Sequence, residues 1–495
     1  MSAARIVVVA NRLPVSVEAG PAGPLIRPSD GGLVAALGTA LRHTGGTWVG
    51  WPGTGESSSG LLAQLAGVGD RAGFALDPVF LTPEQEQGFY AGFANEVIWP
   101  LFHDQLGRCN FDPAYWDAYQ EVTARYSARV AAVAEGAGLV WVHDYHLISL
   151  GERLRSAGVT APLAFFLHIP FPSPDVFVRL PWRTAILRAF LAYDLVGFQT
   201  PRDRRNFLDC LRLLLPDITL TGRGQPVVRV NWQGREVRIG RFPIGVDYAD
   251  FAARVAEPAV VEHAANLRDL LPNRQLLLGV DRLDYTKGIP ERLLAFADAL
   301  ERYPELRQQV TLIQVVVPSR DDIPQYASLK HRIENLVGEI NGRFTHPGGW
   351  VPIHYLYRRL EPTELLAYYR AADVALVTPL KDGMNLVAKE YCACSPDGNG
   401  VLVLSEFAGV AAEMRQAALL VNPHAVRDVA DAIERACAMR PAERQRRMRA
   451  LRRLVRRHDV HWWLDSFLRA AIARDLSAFP QPLDHQHGGP AVAAF

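Results

Sequence analysis

The sequence predicts an α/β protein with two domains, each built around a doubly wound sheet. Short apolar runs rich in β-branched residues recur along the chain and alternate with stretches of helical periodicity. Continuous apolar runs are typical of parallel strands buried on both faces, and their alternation with helices indicates βαβ units. The runs are too many for one open sheet, and 495 residues exceed one ordinary domain. The predicted strands are residues 6–10, 139–142, 163–167, 195–198, 276–280, 310–317, 374–377, 401–404 and 418–421.

The boundary between the two domains is expected near residues 243–246, at the end of the segment 236–246, which alternates and then breaks at Pro and Gly. This pattern is typical of a last strand that leads into a hinge. Residues 251–270 are predicted as one helix and residues 220–232 as a β-hairpin or a loop, while the role of 215–232 stays open. The predicted parts are a first domain at 1–244, a second domain at 245–458, a helix at about 459–478 that packs back on the first domain, and a disordered tail at 480–495.

Charge and composition exclude several classes of protein. Lys and Arg total 53 and Asp and Glu total 52, so the chain has no overall attraction for nucleic acid or an anionic membrane. The basic stretch 442–457 is interpreted as a solvated amphipathic helix with Met448, Leu451 and Leu454 facing inward, rather than as a nucleic-acid helix. Residues 1–9 lack the pattern expected of a signal peptide, and the sequence has no apolar run of about 20 residues. The scattered Cys indicate reduced thiols, so a cytoplasmic location is expected.

Two basic residues follow the predicted strand 276–280. Arg282 and Lys287 lie in the loop after this strand, and such loops bind ligands in α/β proteins. An Arg and a Lys there can clamp a diphosphate and neutralise the charge on a phosphate leaving group. The alternative is a surface arginine paired with Asp284.

A second motif follows the predicted strand 374–377. Gly383 allows a tight turn or a close backbone approach. A helix predicted to start near Asn385 offers free N–H groups to an anion. Asp382 is a candidate acceptor for sugar hydroxyls, and Glu390, one turn into the helix, is a candidate for ribose hydroxyls. The alternative is an ordinary capped helix after a glycine turn.

The predicted first domain contains polar and aromatic candidates. Arg12 follows the first strand, and Gly31 and Gly32 precede a predicted helix, which is a weak phosphate signal. The strand ends near 143–146 and at His168 carry imidazoles and a carboxylate, which suit sugar hydroxyls better than a metal. Arg320 follows a strand of the second domain. The aromatic candidates for covering the apolar face of a sugar are Trp48, Trp51, Tyr90 and Trp99.

These motifs together resemble the trehalose-6-phosphate synthase family. The matching strings run in the family's order from about residue 6 to residue 425. The strings are VVVANRLPV, DGGL, WVGWPG, VIWPLFH, WVHDYHL, FFLHIPFPSP, VGFQT, VDRLDYTKGIPERL, VPSRDD, INGRF and TPLKDGMNLVAKEY. The resemblance implies a GT-B fold, in which two Rossmann-like domains face each other across a cleft. It also implies transfer of glucose, with retention, from UDP-, GDP- or ADP-glucose to glucose 6-phosphate, giving α,α-trehalose 6-phosphate.

The resemblance also assigns roles to individual residues. It implies no cofactor and no metal, and a homo-oligomer, either a dimer or a tetramer, is expected. The residues implied to be catalytic are His168, Arg282, Lys287 and Asp382. The residues implied to bind the acceptor are Arg12, Trp51, Tyr90, Trp99, Asp144 and Arg320. The residues implied to bind the donor are Gly31, Gly32, Arg282, Lys287, Leu360, Asp382, Asn385, Leu386, Val387, Ala388, Lys389 and Glu390.

Two alternatives to this activity stay open at the level of sequence. The first is a pseudo-glycosyltransferase of the same architecture that couples cyclitols, against which the complete string around Asp382 argues. The second is a sugar-phosphate sensor without catalysis, against which the basic pair Arg282 and Lys287 argues. The sequence contains neither a P-loop nor a G-x-S-x-G elbow, which disfavours kinases and hydrolases.

Overall fold

The structure is a computed structural model of the chain, and it describes residues 5–20, 23–28, 34, 37–38, 41–42, 44–55, 57–222, 225, 227–319, 324–346 and 349–473. It contains two α/β domains, as the sequence predicts, each with its own large sheet. The predicted tail at 480–495 and the end of the last predicted helix lie outside the described residues. Within the described part of the chain, no helix is both long and apolar enough to cross a bilayer.

The first domain is built on a sheet of nine strands in the order β5-β4-β1-β6-β7-β8-β11-β10-β9. Its first six strands are parallel and follow the Rossmann order, and β8 also pairs in parallel with β11. A separate hairpin is formed by β2 and β3. The strands are β1 (Ile6–Arg12), β2 (Val15–Gly20), β3 (Gly23–Pro28), β4 (Thr47–Trp51), β5 (Ala75–Pro78), β6 (Leu139–His143), β7 (Leu163–Phe166), β8 (Leu195–Phe198), β9 (Thr219–Thr221), β10 (Val227–Trp232) and β11 (Arg235–Arg241).

Helices connect the parallel strands of this domain. Helix α2 is one continuous helical segment, residues 83–102. It has α-helical turns at Pro83–Gln85 and Trp99–Phe102 and a π-helical stretch between them at Glu86–Ile98. Short 3-10 turns lie at Leu106–Arg108 and Tyr145–Leu147. The other helices are α1 (Ser59–Ala72), α3 (Pro113–Val133), α4 (Leu150–Ser156), α5 (Pro174–Phe177), α6 (Arg183–Phe190) and α7 (Pro201–Leu214).

The second domain is built on a fully parallel sheet of six strands in the order β14-β13-β12-β15-β16-β17, which is again the Rossmann order. Short 3-10 turns lie at Tyr285–Lys287 and Pro304–Leu306. The strands are β12 (Gln275–Arg282), β13 (Val310–Val317), β14 (Ile353–Tyr357), β15 (Val374–Val377), β16 (Val401–Ser405) and β17 (Leu419–Val421). The helices are α8 (Tyr248–Arg254), α9 (Pro258–Leu270), α10 (Ile289–Arg302), α11 (Pro324–Phe344), α12 (Pro362–Ala371), α13 (Leu386–Ala393), α14 (Ala411–Met414), α15 (Val426–Ala438) and α16 (Pro441–Arg457).

The chain ends, within the described residues, on a helix that returns to the first domain. This helix, α17 (Val460–Leu468), continues into a π-helical turn at Arg469–Ala473. The Phe467 ring stacks on Trp141 of β6 at 4.3 Å, and Trp463 packs against the same ring at 5.3 Å. The final helix therefore buries its aromatic face against the first sheet, while the preceding helix α16 belongs to the second domain.

Each predicted strand is present, with bounds that differ by at most two residues. The prediction of one helix at 251–270 is wrong, because Pro258 disfavours helical backbone at Glu257, which is extended, and a new helix starts there. The stretch at 215–232 contributes the edge strands β9 and β10. A turn at Gln233 and Gly234, both with positive φ, joins β10 to β11 as a hairpin.

The basic helix α16 is amphipathic, as predicted. Met448 and Leu451 are buried and Leu454 is half-buried, so one side packs on the second domain. Its Arg444 is also buried and donates to the carbonyl oxygens of Met439, Ala436 and Cys437. All five Cys are free thiols, and four of them are buried.

Candidate active site

The carboxyl ends of the two sheets face each other across a cleft, and loops from both domains meet there. A Cβ built on Gly383, in the loop after β15, would lie closer than 3.0 Å to the carbonyl oxygen of His168, in the loop after β7. Lys381 forms an ion pair with Asp104, which follows α2. Because open α/β sheets bind ligands at the carboxyl ends of their strands, this meeting point is the candidate active site.

A Lys–Asp pair occupies the second domain's side of the cleft. The Nζ atom of Lys287, in the turn after β12, lies 2.6 Å from the Oδ2 atom of Asp382, in the loop after β15. The same Oδ2 atom accepts a hydrogen bond from the side-chain amide of Asn385 at 3.2 Å. Burial opposes ionisation of Asp382, but the charge and hydrogen bond of Lys287 outweigh it and hold the pKa of this carboxyl below its ordinary value. Asp382 is therefore an ionised acceptor beside an ammonium group.

The start of α13 adjoins this pair. Asn385 is the N-cap, with φ of 78°, and its side-chain oxygen accepts from the amide of Ala388 at 3.2 Å. Leu386 and Val387, the first two helical residues, are half-buried, and their backbone amides belong to the first turn of the helix, where N–H groups have no acceptor within the helix. This is the arrangement of N–H groups that favours an anion.

The carboxylate of Glu390 is held in place one turn further along α13. Its Oε2 atom accepts from the hydroxyl of Tyr369 at 2.8 Å. Burial raises the pKa of Glu390, while the Tyr369 hydrogen bond partly offsets this effect. With one oxygen fixed by Tyr369, the carboxylate is oriented to accept from a further hydroxyl.

Asp144 occupies the first domain's side of the cleft, directly after β6, with φ of 70°. Its Oδ1 atom accepts from the backbone amide of His168 at 3.2 Å. Burial raises the pKa of Asp144 to about 7, although amide hydrogen bonds and the positive charge of Arg282 act in the opposite direction. Arg282 itself is exposed at the end of β12. The positive charge of Arg282, in the second domain, therefore acts on Asp144 in the first domain.

Two histidines form a neutral pair beneath Asp144. The Nδ1 atom of His143 lies 3.1 Å from the Nε2 atom of His168, so one nitrogen donates and the other accepts. Burial lowers the pKa of His168 to about 3 and also lowers that of His143. The pair packs against Trp141 and Trp463. No group of three potential metal ligands occurs among the described residues.

A basic and aromatic cluster lies at the carboxyl ends of β1 and β4. The Arg12 guanidinium lies 3.8 Å from the ring centroid of Trp51 and 5.4 Å from that of Tyr90. Gly53, with φ of 94°, leaves the space that the guanidinium fills. Arg12 is exposed, so its charge remains accessible to a ligand while the aromatic rings orient it.

Trp99 lies at the end of α2 beside a histidine that the sequence analysis did not single out. The Nδ1 atom of His103 lies 2.7 Å from the carbonyl oxygen of Trp99, and the two rings are 4.2 Å apart. Burial lowers the pKa of His103 to about 4, and Asp284, Asp382 and Lys287 also act on it electrostatically. The sequence analysis sought site residues mainly at the ends of predicted strands. It therefore did not identify His103, which follows a helix.

The remaining predicted site residues lie elsewhere or outside the described part of the chain. Gly31, Gly32 and Arg320 are not among the described residues. Leu360 is buried between β14 and α12. Lys389 is fully buried. Its ammonium group donates to the Glu413 carboxylate and to the carbonyl oxygen of Ile244, which lies between the two domains.

The chain is similar to proteins of known activity over nearly its whole length. Residues 4–473 match the profile of glycosyltransferase family 20. The trehalose-6-phosphate synthase of Mycolicibacterium smegmatis is 44% identical over 474 residues, which covers 94% of this chain and 92% of that protein. The trehalose-6-phosphate synthase of Mycobacterium leprae is also 44% identical, over 479 residues and 95% of each chain.

Solved structures show the same fold. A structure from E. coli with bound UDP-2-fluoro glucose has a TM-score of 0.84 at 36% identity and covers 94% of this chain and 98% of that one. A UDP-forming α,α-trehalose-phosphate synthase from Burkholderia xenovorans, in complex with glucose-6-phosphate, has a TM-score of 0.83 at 34% identity and covers 94% and 99%.

Fold and site together define a glycosyltransferase with two Rossmann-like domains in the GT-B arrangement. The class follows from the paired sheets and the polar cleft between their carboxyl ends. The chain belongs to glycosyltransferase family 20 and is a hexosyltransferase of the trehalose-6-phosphate synthase type.

Proposed function

We propose that the chain transfers glucose, with retention of configuration, from a nucleotide-diphosphate glucose to glucose 6-phosphate. The products are α,α-trehalose 6-phosphate and the nucleoside diphosphate. The observation that carries the proposal is the Lys287–Asp382 pair, which adjoins the start of α13 and lies in the cleft that Asp144 lines from the other side. One lobe thus offers groups suited to a diphosphate and a sugar, and the other offers groups suited to a second sugar.

The donor would occupy the second domain's side. Arg282, Lys287 and the first amides of α13 suit the diphosphate, because charged donors and a helix start stabilise phosphate oxygens. Asp382, kept ionised by Lys287, suits the glucose hydroxyls. Glu390, held by Tyr369, suits the ribose.

The acceptor would occupy the first domain's side. Arg12, on the Trp51 and Tyr90 rings, suits the phosphate of the acceptor, and the half-buried carboxylate of Asp144 suits its sugar hydroxyls. As the bond between glucose C1 and the diphosphate oxygen breaks, a bond forms from C1 to the acceptor hydroxyl oxygen on the same face. The hydroxyl proton passes to the departing diphosphate oxygen, so the reaction balances without a further reactant. The part of the protein is orientation and charge stabilisation.

The ligands of relatives support the substrate classes. The E. coli relative binds UDP-2-fluoro glucose and the Burkholderia relative binds glucose-6-phosphate. We propose uridine diphosphate glucose as the preferred donor for this chain on that basis. We also propose that the reaction needs no metal, because Arg282 and Lys287 supply the positive charge. The cytoplasmic location and the dimer or tetramer stay predictions.

A donor panel tests the proposed function. UDP-, GDP- and ADP-glucose are each offered with glucose 6-phosphate and, separately, with an aminocyclitol phosphate, and the product is identified by NMR. UDP-glucose is expected to give the highest kcat/KM, and both anomeric centres of the product are expected to be α. Coupling only to aminocyclitol phosphates would indicate the pseudo-glycosyltransferase, and binding without product would indicate the sensor.

The acidity of Asp144 predicts a pH dependence of acceptor use. The raised pKa means that the free enzyme carries a protonated Asp144 below about pH 7, so the ionised acceptor for sugar hydroxyls is scarce there. The kcat/KM for glucose 6-phosphate is therefore expected to rise with pH through about 7 and then level off. The free energy of unfolding changes in the opposite direction. Between the ordinary carboxyl pKa of 3.8 and about 7 only the folded state keeps the proton on Asp144, so stability falls as pH rises through this range and levels off above about 7.

The Asp144→Asn variant is the control for this profile. It should lower kcat/KM and remove the step near pH 7. The phosphate of the substrate ionises at about pH 6, and the change in kcat/KM that this ionisation causes should remain in the variant. The remaining change is therefore the part of the profile that comes from the substrate. A profile that keeps the step near pH 7 in Asp144→Asn would assign it to another group.

A further inference from the structure

The two crossings of the chain between the domains run side by side. The first crossing contains Gly245 and Val246, after β11, and the second contains His458 and Asp459, which lead from α16 to Val460, the first residue of α17. The amide of Val460 donates to the carbonyl oxygen of Val246 at 3.1 Å. A Cβ built on Gly245 would lie closer than 3.0 Å to the carbonyl oxygen of His458. The paired crossings are hereafter called the hinge.

A buried ammonium group from α13 contacts this hinge. The side chain of Lys389 is 0% exposed, and its Nζ atom lies 2.8 Å from the carbonyl oxygen of Ile244 and 2.8 Å from the Oε2 atom of Glu413. The other oxygen of Glu413 lies 3.3 Å from the Nδ1 atom of His458, in the second crossing. Lys389 and Glu413 thus connect α13 to both crossings of the hinge.

Glu413 stays ionised beside Lys389 although both side chains are largely buried. Burial disfavours the Glu413 carboxylate, yet the charge and the hydrogen bond of Lys389, together with the neighbouring His458, hold its pKa at about 2. Arg241, at the end of β11, also lies within electrostatic reach of Glu413. A buried ion pair is held in one geometry by its need for hydrogen-bond partners, so it favours a defined arrangement of the groups it joins.

Lys389 lies on the same helix as the residues proposed to face the donor, so its contact with the hinge bears on the donor side of the cleft. Asn385, four residues earlier, caps the start of the helix at the donor side, and Glu390 follows Lys389 directly. The helix has only eight residues and one end faces the cleft, so a small rotation of the hinge moves its start relative to the first domain. Lys389 therefore links the helix at the donor side to the hinge.

We propose that Lys389 is a positioning residue that fixes the closed arrangement of the domains, and that it does not bind the donor. The Lys389–Glu413 pair sets the angle between α13 and the hinge, so that a donor held at the start of α13 meets an acceptor held beside Asp144. The inference rests on the proposed function for the location of the donor. It assigns to the Lys389 side chain a role different from the one that the family resemblance implies.

A double substitution separates this role from donor binding. Lys389→Met with Glu413→Gln removes both charges, because removing one alone would leave the other buried without its partner. The double variant is expected to lose at least tenfold in kcat, while the Kd for UDP by calorimetry changes by less than twofold. Small-angle X-ray scattering is expected to show a smaller contraction on addition of UDP and glucose 6-phosphate than in the unchanged protein.

The matched control is Arg444→Met, which removes another buried cation of the second domain. Arg444 donates to carbonyl oxygens within that domain and does not contact the hinge. It is expected to lower the Tm and leave kcat within twofold. If the double variant does not fold, Glu413→Asp replaces it, because it keeps the negative charge beside Lys389 and only shortens the side chain; the expected result is a loss in kcat of a few fold and the same unchanged Kd for UDP.

Two results would overturn the inference. A Kd for UDP raised tenfold would make Lys389 a donor ligand, and an unchanged kcat with a lowered Tm would make the pair merely structural. Failure of the proposed function is recognised separately, because the unchanged protein would then form no trehalose 6-phosphate, whereas contraction and UDP binding are measured without turnover.

Discussion

Lys287→Ala is expected to lower kcat/KM for the nucleotide-sugar by roughly 10- to 100-fold. A hydrogen bond from a charged group contributes about 1.5–3 kcal/mol. Each 1.36 kcal/mol of transition-state stabilisation is about a tenfold change in rate. The ammonium group lies 2.6 Å from Asp382 and 14% of its side chain is exposed, so water replaces it poorly. Negative charge grows on the leaving diphosphate as the glycosidic bond breaks, so the loss is expected mainly in kcat.

The substitution also leaves Asp382 without its ammonium partner. The pKa of Asp382 is expected to rise in the variant, because burial then acts with less opposition. Steady-state kinetics with both substrates varied measure the effect, and Arg282→Ala should act in the same direction. Lys330→Ala is the matched control, since Lys330 forms an ion pair with Glu334 on α11. Turnover at the unchanged level in Lys287→Ala would refute the role of this ammonium in leaving-group stabilisation.

The strands that the sequence predicted were those buried on both faces. The run at Val310–Val317 is continuous and apolar, and it forms a central strand of the second sheet with the predicted bounds. The strands that were not predicted have mixed sequences, such as Thr47–Trp51, where Trp and Gly alternate with other residues, or Ala75–Pro78, at the sheet edge. Their strand conformation depends on pairing with β1 and with each other, which local pattern does not contain.

The sequence predicted those residues of the candidate site that lie at or just after the carboxyl ends of strands. Arg282 ends β12, Lys287 lies in the turn after it and Asp382 follows β15, and because these strands are neighbours in one parallel sheet, their ends coincide. The pairing of Lys287 with Asp382, 95 residues apart, depends on side-chain geometry that spacing cannot give. Similarly, the sequence could place Lys389 on α13 but could not tell that its side chain points toward the hinge.

Gly383→Ala is expected to lower kcat by about 100-fold. The added Cβ would lie closer than 3.0 Å to the carbonyl oxygen of His168 and would also meet the backbone of Ile169. These are backbone atoms of the opposite domain and cannot rotate away, so the domains must separate or the loop carrying Asp382 must retreat. A misplacement of about 1 Å between reacting groups can cost about 100-fold in rate, even when each substrate still binds.

The measurement is kcat together with the Kd for each substrate, and the two should respond differently. Binding of UDP and of glucose 6-phosphate should each change little, since each ligand is expected to contact mainly one domain. Gly342→Ala is the control, because a Cβ there has no atom within 4 Å and the position lies on α11. Unchanged kcat in Gly383→Ala would mean that the two loops are apart when glucose is transferred. The close approach of Gly383 and His168 would then belong to another step of the cycle, and the cleft as described would be tighter than the reacting one.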